Sequence, residues 1–539
     1  MPTYYFDFAN GSDSAAGTID APWKTTAKFR SSVIAGDTAL FKRGGDWTTD
    51  TPGSSGHLEA AGDNITVGDY GSRSDAAPII GSARGSPLSI ASVVIGGVST
   101  TVTTNASHGL ATSDMVLIES VGGTATAANH YWIVTVTGAT TFTVALTGSA
   151  TELATGTVTR EAIKGAGFFA NGRSGCTAFG LEFTRLQYGV RLQGTITGFN
   201  GVDLYANRTS QYWYSATATA TGVVYTRCTG YLTLEDGFNF TTGVTDYLCI
   251  ESGGTYVGYG FDAATASNRS GAGDVFTNHA GCYGKLVDCF GGWAITGFVT
   301  HVNTSGISRA INCRAWECAE NTYHQNTGGT LVCVGCVGWA PDTITLSSSS
   351  PRGVFSVKTS GVLYVLNCTA YTAKGVQATP SGSCYGFTGR DAGSTLYVRN
   401  LRVVSNGSAP MGYISGPPGT LNINYNAYSH NGTLWTSSGS KTFATWQALG
   451  HDANSVATGI GIRTEPPTAN VPADFHILAD DGAQATGEDQ SALFASLGVT
   501  EALLDPDGVT RGFRGGWAVG AYEQRPVGSA YSRARARRA

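Results

Sequence analysis

Two aspartates stand at matching places in the stretches DGFNFT (236–241) and DVFTNH (274–279). Aligning Phe238 with Phe276 lays Asp236 over Asp274 at a step of 38 residues. Two carboxyl groups brought together are the acid and base, or acid and nucleophile, of glycosidic-bond hydrolysis, with separations of ~5–5.5 Å for retention and ~6.5–9.5 Å for inversion. Close approach would also push one pKa up, making an acid and a base from two identical groups. The competing reading is that each Asp caps a turn before its Phe. Asp262 is a third candidate, and ATASNRSGAG (264–273) has the composition of a looped-out segment that walls a cleft. Trp213, Tyr256, Tyr259 and Trp316, with Tyr212 and Glu235 in the same stretch, offer the flat apolar faces and carboxylates that sugar rings require.

A histidine series runs through the same region. His279, His301 and His324 recur at steps of 22 and 23 residues in a chain with nine histidines. Facing outward they would form a polar stripe that binds ligand or titrates near neutrality; facing inward they would form a neutral ladder held by Asn and Thr. A second series keeps step with them: Cys289, Cys313 and Cys336, each followed within four residues by a Trp, with Cys228 and Cys368 extending the pattern toward Tyr231 and Tyr371. Such regularity means one structural unit laid down repeatedly.

The elements that must position these residues are short strands. The chain of 539 residues holds 74 Gly, 3 Met and 13% charged residues, and its apolar runs, such as KLVDC and GVLYVLNC, are brief and bounded by Gly, Asn, Ser or Thr. A period of 22 to 24 residues suits a parallel β-solenoid, in which equivalent residues stack at roughly 4.7–4.9 Å. Small apolar cysteine fits an inward ladder. The 11 cysteines are odd in number, and CVGC (333–336) lacks the second half of a zinc site, so the thiols read as reduced core residues and no metal or cofactor is expected.

These features carry a resemblance. The opening YYFDFANGSDSAAGTIDAPWKT with GDTALFKRGGDW, the first-coil text ITVGDYGSRSDAAPII, the central DGFNF, GDVFTNH and repeated NC, and the closing DFHILADDGAQATG with WAVGAYE resemble right-handed, single-stranded parallel β-helices of the pectate-lyase-like superfamily. The likeness is greatest to the tailspike-like versions in bacteriophage and prophage virions. It implies an all-β solenoid, a homotrimer, contact with other virion proteins and a bacterial surface polysaccharide as ligand. The superfamily hosts several chemistries, so fold alone names none.

Residues 1–87 read as the opening coils, 88–160 as an inserted small all-β module rich in alternating β-branched residues, 161–430 as the central helix, 431–523 as a closing region, and 524–539 as a basic, flexible tail. Within the closing region KTFATWQALGHD carries helix-compatible residues over 445–452 with Gly450 as its stop. Five of the 33 Lys and Arg lie in the tail; without them the net charge of −5 would become −10. Elsewhere no basic face with interleaved aromatics points to specific nucleic-acid binding. No run of about 18 apolar residues could span a bilayer, and MPTYYFDF has no signal-peptide pattern, which favours release within a virion. Three functions fit: a spike that binds and depolymerises surface polysaccharide, a non-catalytic structural or decorating virion protein, and a polysaccharide lyase or epimerase. The last ranks lowest, because basic residues are thin in the central coils.

Overall fold

A computed structural model describes residues 1–258, 273–300, 306–340, 352–372, 384–405, 411–429 and 434–523, apart from positions 154, 218, 319, 390, 416–418, 437–438, 458–459, 461, 463–474, 478–480, 482–484 and 513–515. The chain divides into two compact units, Met1–Asn239 with Tyr256–Phe261, and Phe240–Thr255 with Asp262–Ala539. Both are parallel β-helices. Each coil contributes one strand to each of three parallel sheets, visited in the order one, two, three.

In the first unit, sheet one runs through Thr3–Phe6, Thr38–Lys42, Thr66–Tyr70, Cys176–Phe179, Ile196–Val202 and Ala220–Thr226. Val67 pairs with Ala178 and Ile80 with Phe183, so coils more than 100 residues apart in sequence are neighbours in the solenoid. The intervening residues form antiparallel strands, among them Leu88–Gly97, Ser99–Thr104, Met115–Glu119 and Thr141–Val144, around a core of Val93, Val102, Ile118, Trp132 and Phe142. One 15-residue strand, Thr157–Asn171, belongs to both structures. Its first residues pair antiparallel with Met115–Glu119, and its later ones pair parallel with Leu186–Gln193.

In the second unit, sheet one places Leu286, Ala310, Cys333, Val365 and Val398 in one row, at steps of 24, 23, 32 and 33 residues. The corner into sheet two turns on a single left-handed residue in every coil. Asp288, Asn312, Asn367 and Asn400 occupy it at φ 48–55°, conformations that Asn and Asp tolerate better than most residues, and Gly335 takes the same corner within CVGC at φ 65°. The next residue turns inward: Cys289, Cys313, Cys336 and Cys368 are all fully buried. The thiol of Cys313 donates to Leu286 O at 3.5 Å, and that of Cys336 to Ala310 O at 3.2 Å. Burial pushes the Cys313 thiol well above the usual range, so this sulfur is an inert core atom. Ten of the 11 cysteines, Cys384 aside, are buried.

Sheet three builds an aromatic ladder. Phe276, Phe298, Tyr323 and Phe355 stack with centroids 5.1, 4.8 and 5.0 Å apart and nearly parallel rings. The outer face of sheet one is also covered. Ile311, Val332, Val334 and Leu366 pack against Phe494, Leu497, Val499, Ala502 and Trp517. The closing stretch that resembles a terminal coil therefore returns along coils already formed. Its anchors include Asn367 Nδ2 donating to Ala518 O, and Arg402, whose guanidinium grips both oxygens of Asp481. The expected closing helix forms at Phe443–Ala448, starting earlier than 445 because the Thr442 hydroxyl accepts from Thr445 N at 3.2 Å. Gly450 follows at φ 91°. No described helix is long and apolar enough to cross a membrane.

Candidate functional site

The first unit gathers polar side chains from three successive coils. Tyr188 on Leu186–Gln193 and Tyr212 on Tyr212–Thr217 are register partners, and Gln211 N donates to Gln187 O directly before them. The parallel register thus stacks two Gln-Tyr pairs 24 residues apart. Gln187 Nε2 donates to Gln211 Oε1 at 2.8 Å, and the Tyr188 hydroxyl donates to the same oxygen. The two phenol rings lie 5.7 Å apart, and the Arg191 guanidinium sits 4.8 Å over the Tyr188 ring.

Glu235 enters from the third coil, just beyond the strand Thr229–Thr233. Thr233 ties this coil to the second through its hydroxyl, which donates to Gln211 O at 2.5 Å. The half-buried Glu235 carboxyl is hydrogen-bonded by Tyr212 and Gln211, and no cation pairs with it among the described residues. Burial pushes its pKa up, the charge of neighbouring Asp236 adds to the rise, and the two hydrogen bonds oppose it. Burial, with the charge of Glu235, drives the Tyr212 phenol far above its usual range, so it stays a donor. Beside them Asp236 is buried and accepts from Asn239 Nδ2 at 2.8 Å. The cluster therefore holds a carboxyl whose pKa is raised, a second carboxyl next to it, two phenol faces and a guanidinium. That set can donate a proton to a leaving oxygen and bind a ring with polar edges.

No protein-family model matches the chain, and no curated protein does. Solved structures of distant likeness exist. A XylC–xylose complex aligns over 86% of this chain and 88% of its own at 11% identity, with a TM-score of 0.44. Pectate lyase Pel9A aligns over 97% of both chains at 12% identity and a TM-score of 0.36. The gp54 tailspike of Acinetobacter baumannii bacteriophage AP22, in complex with A. baumannii capsular saccharide, aligns over 75% and 74% at 8% identity and a TM-score of 0.22. Likeness this distant says nothing of chemistry; the parallel β-helix rests on the strand register itself.

The residues singled out from sequence lie in different surroundings. Asp274 is buried and accepts from the Thr277 hydroxyl at 3.4 Å, as Asp236 accepts from Asn239, so each aspartate is held by the residue three positions on. The 38-residue step appears in the second unit, where His279 N donates to Phe240 O. Trp213 and Trp316 are corrected to core residues. Trp213 is fully buried against Gly230, where a Cβ would lie 2.0 Å from the indole, and Trp316 lies on Gly292 at 2.2 Å by the same measure. Neither presents a ring face to ligand. Tyr256 is half-buried and meets exposed Tyr231 edge-on at 5.3 Å, an aromatic pair open to solvent.

The histidine ladder is also corrected. Thr277 pairs with Val299 and Val299 with His324, so His324 is two residues out of register with His279. The coils themselves, marked by Phe276, Phe298 and Tyr323, step by 22 and 25 residues, so the even histidine spacing does not follow the coil period. Asp262, Tyr259 and His301 lie outside the described residues. Sequence reasoning missed Gln187, Tyr188, Arg191 and Gln211. Their signal was the repeat LQY (186–188) and SQY (210–212). Among the described residues no group of three or more His, Cys, Asp or Glu is gathered as a metal ion would need.

Proposed function

We propose that the protein is a virion spike of phage type that binds a bacterial surface polysaccharide and cleaves it by hydrolysis. Glu235 is the proton donor, Asp236 the second carboxyl beside it, and Tyr188, Tyr212 and Arg191 the platform for a sugar ring. The observation that carries the reading is that the Glu235 carboxyl, hydrogen-bonded by Tyr212 and Gln211 and paired with no cation among the described residues, is pushed toward its protonated form by burial, the direction a general acid needs. Tyr231 and Tyr256 offer a second aromatic pair in the same unit. The virion setting, the trimer and contact with other virion proteins rest on the resemblance in sequence. A homotrimer is expected by light scattering.

The test is incubation of purified protein with capsule or lipopolysaccharide from candidate hosts. New reducing ends without ultraviolet absorbance are expected. A 4,5-unsaturated product would replace hydrolysis by elimination, and binding without either product would leave a non-catalytic adhesin.

A further inference from the structure

The long strand Thr157–Asn171 changes partners at a bulge between Arg160 and Ala162, where the inserted module meets the solenoid. A cleft of about 330 Å³ opens beside it, near the lower end of sizes that hold small ligands. Leu88, Leu110 and Val158 give it an apolar floor, and exposed Ser86 and Ser107 stand at its rim. His108 forms a fixed wall. Its Nδ1 accepts from Leu110 N at 3.0 Å, its Nε2 faces Thr141 O at 3.4 Å, and its ring meets Phe142 edge-on.

Arg160 also lines the cleft, and it differs from the arginines around it. Arg84 and Arg185 both pair with Glu161, the next residue in the chain. Arg160 makes no ion pair and no side-chain hydrogen bond, and its Nε is buried without a partner. Asp114 feels its charge at a distance but spends one oxygen on Ala111 N at 3.0 Å. A half-buried guanidinium left unmatched is costly, and a planar anion is the partner its fork fits. An apolar floor under a polar rim calls for more than an ion.

We propose that this cleft binds a compact organic anion, a single carboxylate carried on a sugar-sized ring, such as a uronic acid residue. The site lies in the module and its root, apart from the Glu235 cluster, and does not depend on the function assigned there.

Isothermal titration with D-glucuronate, against D-glucose and inorganic sulfate, tests it. One equivalent of glucuronate should bind to the wild-type chain and to Glu235→Gln alike. Arg160→Gln should weaken binding at least ~10-fold through loss of a charge-assisted bidentate contact. Leu110→Trp should do the same by filling the floor while leaving the guanidinium intact, so the outcome does not hang on one variant's folding. Glucose should bind at least ~10-fold more weakly, since it lacks the carboxylate. Undiminished binding by either folded variant, or equal binding of glucose, overturns the proposal. Sulfate binding as tightly as glucuronate also overturns it, by reducing the cleft to a point of positive charge.

Discussion

Asp481 in the second unit and Glu235 in the first are both withdrawn from water, but they meet different company. Asp481 receives two hydrogen bonds from Arg402, one of them 3.0 Å long, and the guanidinium is itself fully buried, with Nε donating to Val519 O at 2.9 Å. Glu235 meets a phenol, an amide and a second carboxylate. The first arrangement fixes a charge in place and ties the returning C-terminal segment to sheet two. The second pushes a carboxyl toward its protonated form where solvent still reaches it. Burial alone does not mark a functional acid. The lack of a compensating cation does, and it is the difference between a residue that holds the fold and one able to work on a substrate.

The largest effect should come from removing the unpaired acid. Glu235→Gln keeps the size and the hydrogen-bonding capacity of the side chain but cannot donate a proton. Depolymerase activity is expected to fall ~10²–10⁴-fold, the range for loss of a general acid, with the fold intact by circular dichroism. Activity within threefold of wild type would place Glu235 with Asp481 as structure. Arg402→Met is the counterpart. It leaves Asp481 buried without its partner and should cost about 3–5 kcal/mol in denaturant unfolding, while activity per folded molecule stays unchanged.

The contrast extends to pH. Glu235 has a folded pKa raised above its unfolded value, so between those two values the folded state holds a proton that the unfolded state has lost. Its contribution to stability is fully present below the unfolded value and is lost as pH rises through the folded one. Glu235→Gln removes this slope. The thermal midpoint of the variant relative to wild type should therefore rise from acid toward neutral pH. A difference that is flat with pH would show that Glu235 ionises like a solvated side chain.

How much of this was legible in sequence follows from which interactions are periodic. The cysteines were readable because one inward position per coil follows one left-handed corner, and Asn312, Asn367 and Asn400 write that corner as NC, NC and NL. The histidines misled because they sit near an aromatic ladder without belonging to it. Trp213 and Trp316 looked like surface rings because their burial depends on Gly230 and Gly292 in adjacent coils, and an indole on a glycine leaves no periodic trace. Glu235 stood in view among the aromatic stretch, but its raised pKa comes from burial and the charge of Asp236, against the hydrogen bonds of Gln211 and Tyr212 one coil earlier. Only the repeated Gln-Tyr pair pointed there. The return of residues 494–517 over sheet one was hidden for a related reason: the alternate outward positions Ile311, Val334 and Leu366 are as apolar as the inward ones, a pattern that says both faces are covered but not by what.

The finest distinction concerns the hydrogen bond from Tyr212, which opposes the rise in the Glu235 pKa by stabilising the ionised form. In Tyr212→Phe the ring that stacks near Tyr188 remains, and the loss of one hydrogen bond should cost only about 0.5–1.5 kcal/mol of stability. The carboxyl then holds its proton to higher pH. If Glu235 acts as the acid, the alkaline limb of kcat must move upward in this variant, with little change in KM because the ring face is kept. A purely packing role for Tyr212 would alter stability and leave that limb where it was. An alkaline limb that moves downward would mean that the phenol favours the protonated carboxyl, reversing the electrostatic account of the cluster.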